Sequence, residues 1–171
     1  MHRRAGRVTP YHRFGLWLTK YVGGVYFLRY IWTPLDRLLY RVRAGRHGIA
    51  PRALPTMLLT TTRHRTGRPR STPVLYLQDG RRYVVVGSNY GRRHHPAWTG
   101  NLISTPDATV QIGERKERVL ARRARAQEFE RYWPRLLEIW PGWRTYRSMT
   151  RRTFRMFALE PIGLPTDEQT V

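Results

Sequence analysis

Residues 58–91 read LLTTTRHRTGRPRSTPVLYLQDGRRYVVVGSNYG, and this stretch decides the fold. Three runs rich in Thr, Val, Leu and Tyr predict strands over about 56–62, 70–78 and 82–88. Asp79-Gly80 between the second and third is a strong short-range hairpin signal. The first two are joined by a basic loop, Arg63 to Arg70, which holds four arginines and His64. Gly67 supplies a residue able to turn at positive φ. Guanidinium forks and successive amides in such a loop suit a phosphate or carboxylate. The same composition also suits a solvated hairpin tip. No Gly-Lys-Ser/Thr follows, so it is not a Walker loop.

Working outward, the chain is 171 residues long, 40% hydrophobic and 12% aromatic. That is enough for one domain with an appendage and too apolar for a disordered chain. There is no cysteine, which removes disulfides and thiolate metal sites. Lys plus Arg number 32 against 11 Asp plus Glu, a formal charge of +21. Such a balance predicts attraction to nucleic acid, anionic lipid or an anionic ligand without choosing among them. The cationic residues are spread over every segment, and no nucleic-acid-binding signature appears, so no specific nucleic-acid partner is expected.

Upstream, residues 1–50 form a basic, aromatic extension. Phe14, Trp17, Leu18, Tyr21, Val22, Val25 and Leu28 fall at helical spacing. Lys20 and Arg29 bracket only eight uncharged residues, and Pro34 ends the run. A membrane span needs about 20 apolar residues, and no cleavage site marks a signal peptide. Thr33-Pro34 then opens a second short helix carrying Leu35, Leu38, Leu39 and Val42, with Gly45 past its end. With ten Lys or Arg against one Asp in residues 1–50, the extension suits an interfacial anchor on anionic lipid. It equally suits packing on the remaining domain or across a homodimer. The expected location is cytoplasmic, peripheral on the inner face of the plasma membrane.

Downstream, Ser88-Asn89-Tyr90-Gly91 leaves the third strand as a small polar turn. Pro96 opens a short helix in which Trp98 and Asn101 share a face. Residues 108–112 and 117–124 predict a hairpin around Gly113. Residues 127–139 follow a helical pattern with Phe129, Trp133, Leu136 and Leu137 inward, and Pro134 predicts a kink or two joined helices. Trp140-Pro141-Gly142-Trp143 and Tyr146 either line a substrate pocket or cap the barrel mouth. Residues 154–160 supply a last strand. Strands in the middle with helices segregated to the ends give an α+β class: an antiparallel split β-barrel over residues 51–162, preceded by the extension and followed by a disordered tail over 163–171.

No GxSxG elbow, HExxH or spaced carboxylate pair is present, so no catalytic residue is assigned. His94-His95, adjacent and followed by Pro96, is a poor metal pair, and no metal is expected. The absence of a reactive group borne by the protein fits chemistry carried by a cofactor.

Four motifs in order, TTTRHRTGRPRSTP, LQDGRRYVVVGSNYG, HPAWTGNL and YWPRLLEIWPGW, resemble the deazaflavin-dependent nitroreductase family. Its members bind coenzyme F420 in a split β-barrel, and the resemblance covers about residues 58–161. It implies an oxidoreductase that delivers hydride from reduced coenzyme F420 to an electron-poor organic acceptor such as a quinone, with FMN less favoured. A cofactor or lipid carrier on the same barrel, or a charge-driven nucleic-acid binder, are the alternatives. By motif, His64, Arg65 and Arg70 would take the phosphate and carboxylate tail. Pro73, Val86, Gly87, Ser88, Asn89 and Trp98 would border the ring, and Leu75, Trp140, Trp143 and Tyr146 would line the substrate. The sequence departs from the pattern at Asn89, where a lysine is common and Arg92 or Arg93 would substitute, and at Trp143, where a tyrosine implicated in nitro substrates is usual.

Overall fold

The computed structural model describes residues 54–162. The two N-terminal helices and the C-terminal tail expected from sequence lie outside these residues. Six strands and three helices follow: β1 Thr56–Thr62, β2 Pro69–Asp79, β3 Arg82–Gly87, α1 Ala97–Ser104, β4 Asp107–Ile112, β5 Arg115–Arg123, α2 Ala126–Ile139, α3 Gly142–Ser148 and β6 Arg155–Pro161. All neighbours are antiparallel, and the sheet closes on itself in the order β1-β2-β3-β6-β5-β4. Closure leaves the sheet without an unpaired edge. Among the described residues no helix is long and apolar enough to cross a membrane.

Strand alternation sorts the side chains into two apolar layers. Met57 and Leu59 of β1, Tyr83 and Val85 of β3, Val110, Val119, and Phe157 and Leu159 of β6 fill the barrel, and Trp98 and Leu102 of α1 pack with them. The alternate positions of β3 and β6, Val84, Val86 and Met156, point outward and are covered by α2 and α3 through Tyr132, Leu136, Trp143 and Tyr146. The VVV run of β3 is therefore buried on both faces, which is why it reads as a continuous apolar segment.

The helix over 126–139 turns Phe129, Trp133, Leu136 and Leu137 to the outer cluster as the pattern predicts, with two further features. It continues through Pro134 as one element, with Pro134 exposed on its outer side. Its most buried aromatic is Tyr132, 1% exposed, while Phe129, Trp133 and Leu137 are only partly buried against the same cluster. Tyr132 is drawn inward because its ring is apolar and its hydroxyl has a partner at the end of β2. That hydroxyl donates to Asp79 Oδ2 at 2.7 Å, and Arg135 Nη1 donates to Oδ1 at 2.9 Å. The Asp79-Gly80 hairpin is thereby tied to α2.

At the other end of α2 the Arg122 guanidinium grips Glu128 bidentately, at 2.8 and 2.7 Å, and the Arg125 amide donates to the same carboxylate at 2.8 Å. The Arg122 hydrogen bonds first, then the Arg125 amide, lower the Glu128 pKa to about 2. A depressed folded-state pKa means stability that is full above the ordinary carboxylate pKa and is lost as pH falls through the folded value. We expect this pair to supply about 1–2 kcal/mol at neutral pH, discounted for its partial exposure, and to lose it between about pH 4.5 and pH 2. Thermal unfolding of native protein and Glu128→Gln across that range tests this. The two melting curves should converge as the pH falls, and a constant gap would refute the pairing.

Candidate functional site

The antiparallel register fixes which loops meet. β1 hands over to β2 at Thr62↔Pro69, β3 ends against the start of β6 at Gly87↔Arg155, and β4 starts beside the end of β1 at Thr61↔Ala108. The segments 63–70, 88–96 and 149–155 therefore crowd one end of the barrel. None of the three contains Asp or Glu, whereas Asp79, Glu114 and Glu117 lie at the opposite end. These three segments are therefore cationic, which suits an anionic ligand.

In the first segment Arg63, Arg65, Arg68 and Arg70 are all exposed, and among the described residues none has a carboxylate partner. Gly67, at φ 64°, lets the loop close: its amide and that of Thr66 donate to the Arg63 carbonyl at 2.8 and 3.3 Å, and the Arg63 amide donates to Arg68 at 3.0 Å. The His64 amide points to Asn101 Oδ1 at 3.4 Å, and its Nδ1 lies 3.2 Å from the same oxygen. Three of the loop's amides are thus used within the loop and a fourth points to Asn101, so the amide concavity expected from sequence is not formed. An anion at this loop would meet the guanidinium forks, which are exposed.

Helix α1 connects this loop to the exit of β3. Asn101 Nδ2 donates to the buried Thr61 Oγ1 at 3.0 Å. Near the start of the helix, Thr99 packs so close to Gly87 that a Cβ there would sit 2.6 Å from the Thr99 methyl and 3.3 Å from the Arg155 carbonyl. Trp98 faces the barrel interior, with its ring 5.9 Å from Phe157. It lies on the other side of the sheet from Val86, so the structure does not bring these two expected ring neighbours together.

The turn after β3 is strained. Asn89 at φ 48°, Tyr90 at φ 54° and ψ 33°, and Gly91 at φ 71° are consecutive left-handed residues. Asn tolerates this conformation and Gly favours it; for tyrosine it costs about 1–2 kcal/mol. Arg152 holds the turn in place. Its Nε donates to the Arg92 carbonyl at 2.7 Å, Nη1 to the Gly87 carbonyl at 3.2 Å, and Nη2 to the Ser88 carbonyl. Nη1 also lies 3.1 Å from His95 Nδ1, and the guanidinium stacks on Phe154 at 5.0 Å. Asn89 Nδ2 adds a bond to the His94 carbonyl at 2.9 Å. Burial, then the charges of Arg155, Arg152 and Arg123, push His95 below the usual histidine range, which favours the neutral ring that can accept from Arg152. Among the described residues no group of His, Asp and Glu is placed to hold a metal.

Around this turn the outer cluster gathers Leu75, Val86, Tyr90, Trp140, Trp143 and Tyr146. Pro73 shares the strand face of Leu75, two residues away. Trp143 and Tyr146 are 4% and 2% exposed, so they pack α3 onto the sheet and present little surface to a substrate. Leu75, Tyr90 and Trp140 are the partly open members. Burial pushes the Tyr146 pKa above the usual phenol range, with Trp140 partly offsetting it. Sequence reasoning missed Arg152 and Tyr90. Arg152 is one arginine among many and carries no local signal, whereas Tyr90 sits between Asn89 and Gly91 in a turn that already demanded positive φ.

The donor set fits a deazaflavin whose anionic phosphodiester and carboxylate tail would meet Arg65, Arg70 and His64. Its flat ring would lie near Leu75, Val86 and Ser88. Comparison with known proteins gives the same direction. The model of the F420H(2)-dependent quinone reductase family matches residues 34–161. An F420H(2)-dependent quinone reductase of Mycobacterium tuberculosis is 37% identical over 107 residues, 62% of this chain and 68% of the relative. A solved F420-H2-dependent reductase superimposes with a TM-score of 0.58 at 30% identity, covering 62% of this chain and 94% of the other. A solved chain described as a domain-swapped dimer gives a TM-score of 0.60 at 27% identity, covering 74% and 99%. Membership takes the enzyme reading over the carrier and nucleic-acid readings, and coenzyme F420 over FMN. This chain, with its split barrel and arginine-rich loop, belongs to the F420H(2)-dependent quinone reductase family of oxidoreductases.

Proposed function

We propose that the chain reduces a quinone-type acceptor at the junction of the arginine loop and the β3-exit turn. The observation that carries this reading is the placement, at the same end of one barrel, of a partly open apolar cluster and exposed arginines that have no carboxylate partner among the described residues. Bound coenzyme F420 supplies the hydride. The protein's part is to grip the anionic tail with Arg65 and Arg70, to hold the turn at Ser88 through Arg152, and to exclude water with Leu75, Val86 and Trp140. A lipid-soluble acceptor and a position at the inner face of the plasma membrane belong to the same reading. They are supported by the cationic, aromatic composition of residues 1–50. A homodimer is supported by the domain-swapped relative.

The test is turnover by the full chain with reduced coenzyme F420. Menadione should be reduced, and a nitroimidazole at least about tenfold more slowly. Trp143 stands where the resembling family has tyrosine; it is buried, and as an indole it has no readily released proton, so that position offers a nitro group no phenol. Tyr146, the neighbouring phenol, is buried. Equal rates on the two acceptors would refute this account of selectivity. Absence of menadione turnover would refute the proposed activity. Light scattering and sedimentation with anionic vesicles on the same preparation report the dimer and the anchor.

A further inference from the structure

We infer that Asn101 is a positioning residue for the anionic tail of the cofactor: it holds His64 as the Nδ1–H tautomer, so that Nε2 can meet an anionic oxygen only after taking up a proton. The inference rests on the reading that sets the tail at the arginine loop. It adds to that reading a residue on α1 and a proton that binds together with the cofactor.

Asn101 is 2% exposed, on a helix whose residues, AWTGNLIS, carry no charge. A side-chain amide can be turned either way round, and here its partners fix the sense. The His64 backbone amide, which can only donate, faces Oδ1 at 3.4 Å. Nδ2 donates to the Thr61 hydroxyl at 3.0 Å, and Thr61 is itself buried. Oδ1 is therefore the acceptor at the loop. The imidazole Nδ1 lies 3.2 Å from that same oxygen, so Nδ1 carries the hydrogen. A neutral imidazole has one N–H, which leaves Nε2 with a lone pair.

The His64 side chain is exposed, and among the described residues Nε2 has no hydrogen-bond partner. A phosphodiester or carboxylate oxygen is an acceptor only, and a lone pair turned toward it repels. An anion placed at Nε2 therefore takes up a proton from solvent onto that nitrogen, and the imidazolium donates a charge-assisted bond. In the other tautomer Nε2 would donate while neutral, with no proton taken up. Asn101 decides between the two. The charged groups around His64 are Arg63, Arg65, Arg68 and Arg70 of its own loop. From β4 there is Asp107, next to the Ala108 that pairs with Thr61, and Arg118 already holds it at 3.1 Å. Of these, His64 is the side chain that titrates between about pH 5 and pH 8.

The first measurement needs no ligand. NMR shifts of the His64 ring nitrogens in the cofactor-free full chain, at a pH where the ring is neutral, should show the hydrogen on Nδ1. The second is titration of oxidised coenzyme F420 into the native chain and His64→Gln between about pH 5.5 and pH 8.5. Ionisation of the ligand is common to both proteins and cancels in the ratio of their affinities. That ratio should fall about tenfold as the pH rises. Calorimetry in two buffers of different ionisation heat should show the native chain taking up more protons on binding than His64→Gln. Asn101→Asp sets a carboxylate against Nδ1 and favours the imidazolium, so it should carry the fall in affinity to higher pH. An asparagine that served the fold alone would change the affinity without moving the profile. A hydrogen on Nε2 in the free chain, an affinity ratio flat with pH, or an unmoved profile in Asn101→Asp would each overturn the inference. Failure of the native chain to bind deazaflavin at any pH, with the Nδ1–H tautomer in place, would instead overturn the cofactor reading on which this one rests.

Discussion

Arg152→Ala is expected to lower deazaflavin affinity by at least about 100-fold and to destabilise the fold by about 3 kcal/mol. The guanidinium serves three backbone carbonyls on the β3-exit turn and one imidazole, and it covers the face of Phe154. Removing it strands partly buried acceptors, each costing about 1–3 kcal/mol. It also frees a turn whose two non-glycine left-handed residues would relax once unclamped. Gly87, Ser88 and Asn89, which the proposed reading sets beside the ring, would then lose their fixed geometry. Arg152→Lys should recover part of the stability and little of the binding, because an ammonium cannot span carbonyls on both sides of the turn as a planar fork does. Denaturant unfolding and fluorescence titration with the cofactor separate the two effects. An alanine variant that is destabilised yet binds with native affinity would show that the clamp serves the fold alone.

The arginine loop should set the choice of cofactor. Arg65→Ala and Arg70→Ala are each expected to cost about 1.5–3 kcal/mol of deazaflavin binding, the usual worth of a charge-assisted hydrogen bond. Both residues are exposed, so neither substitution should disturb stability by more than about 0.5 kcal/mol. FMN has one phosphate and no carboxylate tail, and should bind more weakly than coenzyme F420 and respond less to either change. The preference should narrow with added salt, since exposed charges are screened beyond about 8–10 Å at moderate ionic strength. Equal affinity for the two cofactors, or loop variants that bind normally, would move the anionic subsite away from this loop.

Much of this architecture was legible in the sequence. Strand alternation and the Asp79-Gly80 and Gly113 turns give all six strands to within a few residues, because a period of two with turn residues at the ends has few other readings. The loop's four arginines were visible as a cluster, but the direction of its amides was not: whether Thr66 and Gly67 point outward or onto the Arg63 carbonyl is decided by loop closure. The inward turn of Tyr132 depends on Asp79, more than fifty residues away. Trp98 and Val86 both looked like ring neighbours on motif grounds. Only the packing of α1 against the barrel interior separates them. Arg152 acts on residues about sixty positions earlier, a distance over which local pattern carries no information.

The two apolar layers share a wall made of β2, β3 and β6. Val85 and Tyr83 look into the barrel, while Val84 and Val86 look out at α2 and α3. Substitutions on α3 or at Trp140 repack against the outer wall and leave the ladder and the interior filling untouched. Sites that share no partner contribute nearly additively. A duplicated gene on this plan therefore has room to vary. On the proposed reading, its descendants would exchange one acceptor for another by altering a handful of outer side chains, while the arginine loop kept the same cofactor and the barrel its margin above the stability threshold.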